Sequence, residues 1–167
     1  RIGAVGQGPA LLGPAVEGDV PPASVEAARP LLARLQHHDG GPSLRADLRH
    51  LTREYAPLLK FDPVVHTVGP VDSVVPRDVR EQVTPVLREA LSNLARHAAA
   101  DHGEILVEVD DHELRLTVVD DGIGIGPEVA ESGLRNARRR ASALGGSLEL
   151  TPRRPRGTSF VWRVPIR

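Results

Sequence analysis

Two alternating segments separated by a tight turn constrain the fold of this chain more than any other feature. Glu104 to Val109 and Glu113 to Val119 both alternate between apolar and polar side chains, and Asp110-Asp111-His112 connects them. Because successive side chains of a strand point to opposite faces of a sheet, this pattern predicts an antiparallel hairpin. The chain therefore builds at least part of its structure around a sheet.

Helical and extended segments surround the hairpin in a regular order. Helical spacing of apolar residues predicts helices at Ser24 to about His37, Ser43 to about Leu59, Val79 to Ala98 and about Leu134 to Leu144. Shorter segments predict strands at Pro63 to Val68, Ser147 to Thr151 and Thr158 to Ile166. Pro85 lacks an N–H group, so we expect the third helix to bend near it or to begin at Thr84. The order from residue 63 predicts an α/β two-layer sandwich, with helices packed on one face of a mixed, mostly antiparallel sheet.

Length and composition narrow the class of protein. A chain of 167 residues suits one domain with appendages. The absence of cysteine excludes disulfides, thiolate zinc sites and cysteine nucleophiles. The net charge is -1, four residues are aromatic, and no apolar run is long enough to span a membrane. These features predict a soluble, cytoplasmic protein that binds no nucleic acid. We interpret the arginines at 138–140 and 153–156 as solvated faces.

The chain divides by composition into three parts. Residues 1–22 contain five glycines and four prolines without periodicity, which predicts a flexible arm. Residues 23–42 hold the first helical segment and a linker that ends in Asp39-Gly40-Gly41-Pro42. Residues 43–167 hold the remaining predicted elements and form the main domain.

One face of the helix at Val79 to Ala98 carries a group of polar residues. A period of about 100° per residue places Glu89, Asn93, Arg96 and His97 together, away from the apolar stripe. A carboxylate and a carboxamide supply the hard oxygen atoms that magnesium prefers, and the cationic groups suit phosphate oxygens. By itself, such a face is also typical of an ordinary solvated helix surface.

A second candidate segment follows the predicted hairpin. Asp120 ends a strand and is followed by Gly122 and Gly124. A carboxylate there can accept a hydrogen bond from an exocyclic amine, and glycines allow the backbone to approach a flat ring. The alternative is a plain turn, since aspartate and glycine are common in turns. The spacing does not match the dinucleotide-binding pattern GxGxxG.

A third candidate segment opens the helix near residue 134. Gly133 and Leu134 lie where backbone N–H groups and the positive end of the helix dipole meet an anion such as phosphate. Gly157 and Thr158 begin the last predicted strand. The alternative for this segment is an ordinary helix cap.

Taken in order, these motifs resemble the ATPase fold shared by histidine kinases, gyrase, Hsp90 and MutL, known as the Bergerat-type fold. The segments LREALSNLARHA, VVDDGIGI, SGLRNARRRASALGG and GTSFVWRVP look most like sensor histidine kinases that work with NarL-type response regulators, particularly the hypoxia and redox sensors. The resemblance covers roughly Ser43 to Arg167.

This resemblance implies ATP and magnesium as cofactors and a role for each matching position. It implies that Asn93 ligates magnesium and that Glu89 supports the metal or an attacking group. It implies that Arg96 and His97 neighbour the phosphates. The remaining implied contacts are Asp120 with the adenine amine, Gly122 and Gly124 with the face of the base, and Gly133, Leu134 and Thr158 with the nucleotide or its phosphates.

Three departures from the family pattern bear on function. Only six residues separate Gly126 from Gly133, which is short for a flexible lid over ATP, and Glu131 stands where many relatives have a glycine. No histidine lies in a typical phosphoacceptor context, and we interpret His37 and His38 as a surface pair near a helix end. We therefore expect residues 23–42 to be a remnant of a dimerisation module.

The leading hypothesis is the catalytic, ATP-binding domain of a sensor histidine kinase that phosphorylates a histidine outside this segment. Its expected partners are a phosphoacceptor dimerisation domain and a NarL-type response regulator, in a full-length protein that forms a homodimer. Two alternatives stay open. The first alternative is a degenerate nucleotide switch or docking module, and the second is a serine kinase of the anti-sigma type.

Overall fold

The strands form one mixed sheet in the computed structural model, which describes residues 43–126 and 134–166. In chain order they are β1 (Val64–Val68), β2 (Gly103–Val109), β3 (Glu113–Asp120), β4 (Ser147–Pro152) and β5 (Thr158–Pro165). Their order across the sheet is β1-β2-β3-β5-β4, with β1 parallel to β2 and the other neighbours antiparallel. The predicted hairpin and the mostly antiparallel sheet are confirmed.

Three α-helices accompany the sheet in the described part of the chain: α1 (Leu44–Leu59), α2 (Arg77–Asn93) and α3 (Arg135–Ala143). Helix α1 begins where predicted because the side chain of Ser43 accepts the N–H of Ala46 at 3.2 Å. It ends at Lys60, which adopts a left-handed conformation. The described residues belong to one compact unit, Pro42–Arg167.

Helix α2 differs from the prediction at both ends. It begins at Arg77 and continues through Pro85, so the predicted start at Thr84 is wrong. Proline removes one hydrogen bond, to the carbonyl four residues earlier, and that carbonyl belongs to the exposed Glu81, where water can replace the lost donor. At the other end the α-helix stops at Asn93, and Leu94–Ala98 form a π-helical turn.

Burial alternates along the strands and identifies the face that the helices cover. Strand β2 buries Ile105 and Val107, and β5 buries Phe160 and Trp162, while the residues between them are less buried. Trp162 is completely buried, and its indole N–H donates to the carbonyl of Ala137 on α3 at 3.2 Å. This packing holds α3 beside the central strands, on the same side as α2, and confirms the predicted helices on one face.

No helix within residues 43–126 and 134–166 is long and apolar enough to cross a membrane. The predicted arm at 1–22 and the predicted helix at 24–37 lie outside the described residues, as does the histidine pair at 37 and 38.

Candidate nucleotide-binding site

Asp120 is a buried carboxylate at the end of the central strand β3. Only 6% of its surface is exposed. Its Oδ1 atom accepts the backbone N–H of Gly122 at 2.8 Å, and the backbone N–H of Thr158 on β5 also donates to the carboxylate. Burial raises the pKa of the Asp120 carboxyl, and these two N–H groups act in the opposite direction. Two strands and a loop therefore fix one acidic group inside the protein.

Asp120 borders a small cavity that is apolar except for three side chains. The cavity measures about 20 Å³, enough for one water molecule. Its polar members are Asn93, Asp120 and Thr158. The apolar walls come from Ala90, Leu94, Ala98, Val118, Ile125, Leu134 and Phe160. Apolar walls with a few convergent polar groups are typical of sites for small molecules and cofactors, although a purine requires the walls to separate.

The hydroxyl of Thr158 has an unusual environment in this cavity. Its Oγ1 atom is buried and has no hydrogen-bond partner among the described residues. An unpaired buried hydroxyl costs free energy, so such groups are commonly found where a ligand or an ordered water completes the bonding. Together with Asp120, it gives the cavity one donor and one acceptor for a bound base.

We expect the Thr158→Val substitution to separate stability from binding. Valine has nearly the same shape but no hydroxyl, so the free energy of unfolding should rise by up to about 1 kcal/mol in the absence of ligand. Adenine nucleotide affinity should fall by about tenfold, because the partner of the bound base is lost. Urea unfolding and calorimetric titration measure the two effects, with Thr151→Val, an exposed position on β4, as the control. Equal affinity in the Thr158→Val variant and the wild-type protein would contradict the assignment.

The glycines after Asp120 make close contacts, but mostly with protein backbone. A Cβ atom on Gly122 would lie 2.2 Å from the carbonyl oxygen of Ala98. At Gly157, φ is +111° and a Cβ would lie 2.0 Å from the carbonyl oxygen of Asp120. At Gly124 the nearest atom would be 3.9 Å away. Gly122 thus brings the loop against the π-helical turn, while Gly124 leaves open space beside the loop.

Asp121, which the sequence motifs did not single out, holds the same loop in place. Its Oδ1 atom accepts the backbone N–H groups of Asp101 and His102, both at 2.9 Å. These hydrogen bonds lower the pKa of the Asp121 carboxyl, that from His102 most of all. The N–H of Ile123 also donates to the carbonyl of Ala98 at 2.7 Å. The Asp-Asp-Gly sequence is a signal for a carboxylate that holds a loop in place, but the residues that Asp121 binds are distant from it in the chain.

A larger cleft of about 590 Å³ lies beside the cavity, between helices α1, α2 and α3. Asn93 borders both the cavity and the cleft, and Glu89 and Arg96 line the cleft with it. His97 is exposed and lines neither. Three of the four polar residues predicted to share a face thus line one cleft. Arg96 and His97 both belong to the π-helical turn, but only Arg96 lines the cleft.

Glu89 is half-buried in this cleft and contacts α3. Its carboxylate accepts the backbone N–H groups of Ala137 and Asn136, in the first turn of α3, and lies near the guanidinium of Arg140. Burial raises the pKa of Glu89, and these three groups oppose that rise. The N-terminal end of α3, which the sequence assigns to a phosphate, thus already binds a carboxylate. Gly133 lies outside the described residues, and Leu134 lines the cavity.

The donor set of the cleft suits a magnesium ion that arrives on phosphate oxygens. Glu89 and Asn93 supply one carboxylate and one carboxamide, the hard oxygen ligands that magnesium prefers. No cluster of three or more His, Asp or Glu side chains suited to a metal exists among the described residues. The described part of the protein therefore offers too few ligands for a dedicated metal site, and phosphate oxygens and water would complete the coordination.

The arginine-rich loop between β4 and β5 borders a third cleft of about 610 Å³. Arg153 donates to the backbone carbonyl of Asp120 at 3.3 Å, and Arg156 lies 3.5 Å from Asp101. Arg153 therefore contacts the segment that carries Asp120, whereas Arg156 forms an exposed ion pair with the segment before β2. Ile125 and Thr158 border both this cleft and the small cavity.

Comparisons with known proteins show which sequences and folds this chain is similar to. Residues 78–167 match the model of the family described as histidine kinase-, DNA gyrase B-, and HSP90-like ATPases. The sensor histidine kinase YxjM of Bacillus subtilis is 33% identical over 100 residues, which cover 60% of this chain and 25% of YxjM. The nitrate/nitrite sensor protein NarX of Escherichia coli is 30% identical over 142 residues, which cover 83% of this chain and 24% of NarX.

A solved structure has a similar fold. The histidine kinase domain of the Erythrobacter litoralis EL346 blue-light activated histidine kinase superposes with a TM-score of 0.58 and 25% sequence identity. The match covers 77% of this chain and 67% of that one. In contrast, this chain spans only about a quarter of the length of YxjM and NarX.

Proposed function

Since this chain belongs to the family of histidine kinase-, DNA gyrase B- and HSP90-like ATPases, we propose that it is the ATP-binding catalytic domain of a two-component sensor histidine kinase. The observation that carries the proposal is the buried cavity in which Asp120, Thr158 and Asn93 converge. Asp120 accepts a hydrogen bond from the exocyclic amine of adenine, and Thr158 bonds to the same edge of the base. Asn93 then lies where the nucleotide leaves the cavity and its phosphates enter the cleft.

The residues of the cleft hold the phosphates and a magnesium ion in this proposal. Asn93 provides an oxygen ligand, Glu89 supports either the metal or the attacking group, and Arg96 neutralises phosphate charge. A magnesium ion, when bound, supplies positive charge to the phosphate oxygens during transfer. Gly124 leaves open space beside the loop, and Leu134 forms part of the apolar wall for the base. Gly133 and His97 remain predictions, as nucleotide contacts at the edge of the site.

Glu89 is also suited to a chemical role. In phosphoryl transfer, the bond between the β,γ-bridging oxygen and the γ-phosphorus breaks, ADP departs, and a bond forms between phosphorus and an imidazole nitrogen of the acceptor. Among the described residues that line the cleft, Glu89 is the one carboxylate. Because burial raises its pKa, it accepts a proton more readily than an exposed glutamate does. We propose that Glu89 orients the attacking histidine or takes up its proton.

The acceptor histidine lies outside this segment in our proposal. It belongs to a dimerisation domain of a full-length, homodimeric kinase that works in the cytoplasm and passes the phosphoryl group to a NarL-type response regulator. The sequence of the chain has no histidine in a phosphoacceptor context. NarX, a relative that shares 30% identity, is a nitrate/nitrite sensor, and this supports a sensor kinase as the whole protein.

We expect this chain to bind Mg·ATP without phosphorylating itself. Calorimetric titration should show one nucleotide per chain. Incubation with ATP labelled at the γ-phosphate should leave no acid-labile label on the protein, because the acceptor is absent. Label on His37, His38 or His50 would place the acceptor inside this segment. Failure of the wild-type chain to bind any adenine nucleotide would refute the proposed function.

The contact between Glu89 and α3 favours one alternative, a switch that binds nucleotide without catalysing transfer. In that case nucleotide would release Glu89 from α3 and change the surface of this helix. Addition of an isolated phosphoacceptor dimerisation domain distinguishes the two possibilities. Transfer of label to its histidine supports the kinase, and binding without transfer supports the switch.

A further inference from the structure

Strand β1 forms an edge of the sheet whose surface differs from that of the opposite edge. Among the described residues β2 is its one neighbouring strand, so some of its backbone N–H and C=O groups point away from the sheet. Edge strands commonly carry charged residues or proline, which prevent another strand from adding to them. Strand β4, at the other edge, has the exposed Glu149 and ends in Pro152. Strand β1 contains no Lys, Arg, Asp, Glu or Pro.

The side chains of β1 are arranged symmetrically about its central residue, His66. Val64, His66 and Val68 are exposed on the face that the helices leave open, and the two valines expose 49% and 54% of their surface. Val65 and Thr67 are half-buried on the helix side. Reversal of the strand about His66 exchanges Val64 with Val68 and Val65 with Thr67. The strand therefore presents the same pattern of β-branched side chains in both directions.

Arg45 on α1 holds this strand in place. Its guanidinium donates to Oγ1 of Thr67 at 2.6 Å and to the carbonyl of Gly69, just after the strand, at 2.8 Å. Asp72 pairs with the same guanidinium at 3.1 Å, so Arg45 adds no net charge beside the strand. An edge that is already ordered loses less conformational entropy when another strand binds to it.

We propose that β1 is a docking surface for β1 of a second copy of this chain, so that two five-stranded sheets join into one continuous sheet. Antiparallel pairing of identical strands places a two-fold axis perpendicular to the sheet. Residues directly opposite each other then lie on the same face, and among such registers only the one centred on His66 pairs all five residues. Val64 contacts Val68 of the partner subunit in this register, and such β-branched pairs stabilise antiparallel strands.

The size of the contact predicts that isolated chains form a weak dimer. Five residues from each copy are far fewer than the roughly 20–30 residues a side of a stable interface. We therefore expect a dissociation constant on the order of 0.1–1 mM. In the full-length homodimer proposed above, two tethered copies would meet at an effective concentration in the millimolar range, which is enough to populate the contact.

Because the chain has no cysteine, disulfide cross-linking tests the contact directly. In the His66→Cys variant the two introduced thiols lie opposite each other, with a Cα separation of about 4.5–5.5 Å that a disulfide can span. Val64→Cys is the matched control, since this exposed position is on the same strand and face but lies more than about 12 Å from its counterpart. Under mild oxidation the His66→Cys variant should cross-link at least about tenfold faster. Equal rates overturn the proposal.

Paired charges test the same register without an oxidant. The wild-type chain should show concentration-dependent dimerisation in sedimentation equilibrium up to about 1 mM. Val64→Lys/Val68→Lys puts like charges opposite each other at two contacts, so this variant should be monomeric. Val64→Lys/Val68→Glu puts opposite charges at the same contacts and should dimerise again. Urea unfolding checks that both variants fold.

The outcomes separate this proposal from the proposed function. A wild-type chain that stays monomeric up to about 1 mM overturns the dimer, as does a folded lysine–glutamate variant that stays monomeric. Dimerisation of the double-lysine variant as strong as that of the wild type also overturns it. Because β1 lines neither the small cavity nor the cleft between the helices, all variants should bind Mg·ATP as the wild type does. Failure of the wild-type chain to bind nucleotide would refute the proposed function and leave the dimer test unaffected.

Discussion

The Asp120→Asn variant is expected to lose ATP affinity by about tenfold or more while the fold stays intact. A hydrogen bond from an amine to a carboxylate contributes about 1.5–3 kcal/mol, and an asparagine at this position replaces one acceptor oxygen with a donor. The side-chain oxygen of asparagine can still accept the N–H groups of Gly122 and Thr158. Because burial disfavours the charged carboxylate, its removal should leave the free energy of unfolding unchanged or higher.

Calorimetric titration with Mg·ATP and urea unfolding measure these two quantities. Asp111→Asn is the matched control, since Asp111 is exposed in the turn between β2 and β3, at the far end of β3 from Asp120. Undiminished affinity in the Asp120→Asn variant would exclude Asp120 as the group that binds the adenine amine. A large loss of stability would instead show that the variant disturbs the fold.

Because the pKa of Asp120 is raised, both the stability of the protein and its affinity for ATP should depend on pH. Its folded pKa lies above its unfolded value of about 3.9, so the buried charge disfavours the folded state at neutral pH. The contribution of this residue to stability therefore increases as the pH falls through the raised pKa. ATP affinity should decrease over the same range, because protonation turns one acceptor oxygen into a donor and removes the charge that strengthens the hydrogen bond from the adenine amine. The Asp120→Asn variant should not show this increase in stability.

The Gly122→Ala variant is expected to lose both stability and nucleotide binding. Its Cβ would lie 2.2 Å from the carbonyl oxygen and 2.8 Å from the Cβ of Ala98, so the loop must move away from the π-helical turn. Such overpacking costs about 1–3 kcal/mol. The shift would also displace the N–H that binds Asp120 and the N–H of Ile123 that binds Ala98.

The same loop offers a control for this substitution. A Cβ on Gly126 would have no atom of the described residues within 4 Å, so Gly126→Ala should change the free energy of unfolding by less than about 0.5 kcal/mol. Urea denaturation of both variants, followed by titration with Mg·ATP, measures the difference. Equal stability of the two variants would contradict the close approach of Gly122 to Ala98.

The elements of the sheet were predictable because their signals are local. Alternation in Ile105, Val107, Leu114 and Leu116 depends only on the period of a strand, and it placed β2 and β3 to within one residue. The candidate site was predictable to a similar degree. Asp120 and Thr158 were identified from short motifs, and both line the cavity. The family assignment, which came from the order of these motifs, is confirmed by the match over residues 78–167.

Other features depend on contacts between distant parts of the chain. The helix through Pro85 depends on an exposed carbonyl, and the π-helical turn after Asn93 has no recognisable pattern in Leu94–Ala98. Phe160 lines the cavity because β5 lies beside β3, a pairing that the sequence order does not reveal. In each case the energy that decides the outcome comes from packing or solvation in the folded chain.

The sequence by itself determined which chemical groups this protein offers: a carboxylate at the end of a strand, an amide and a carboxylate four residues apart on a helix, and glycines where the backbone must approach another segment. The periods of strands and helices are local, so these groups could be placed on elements. Only the tertiary structure decided how they are used. It buried Asp120 against Gly122 and Thr158, and it turned Glu89 towards the first N–H groups of α3. These outcomes depend on desolvation and on three-dimensional proximity, and neither quantity exists until the sheet and helices have packed together.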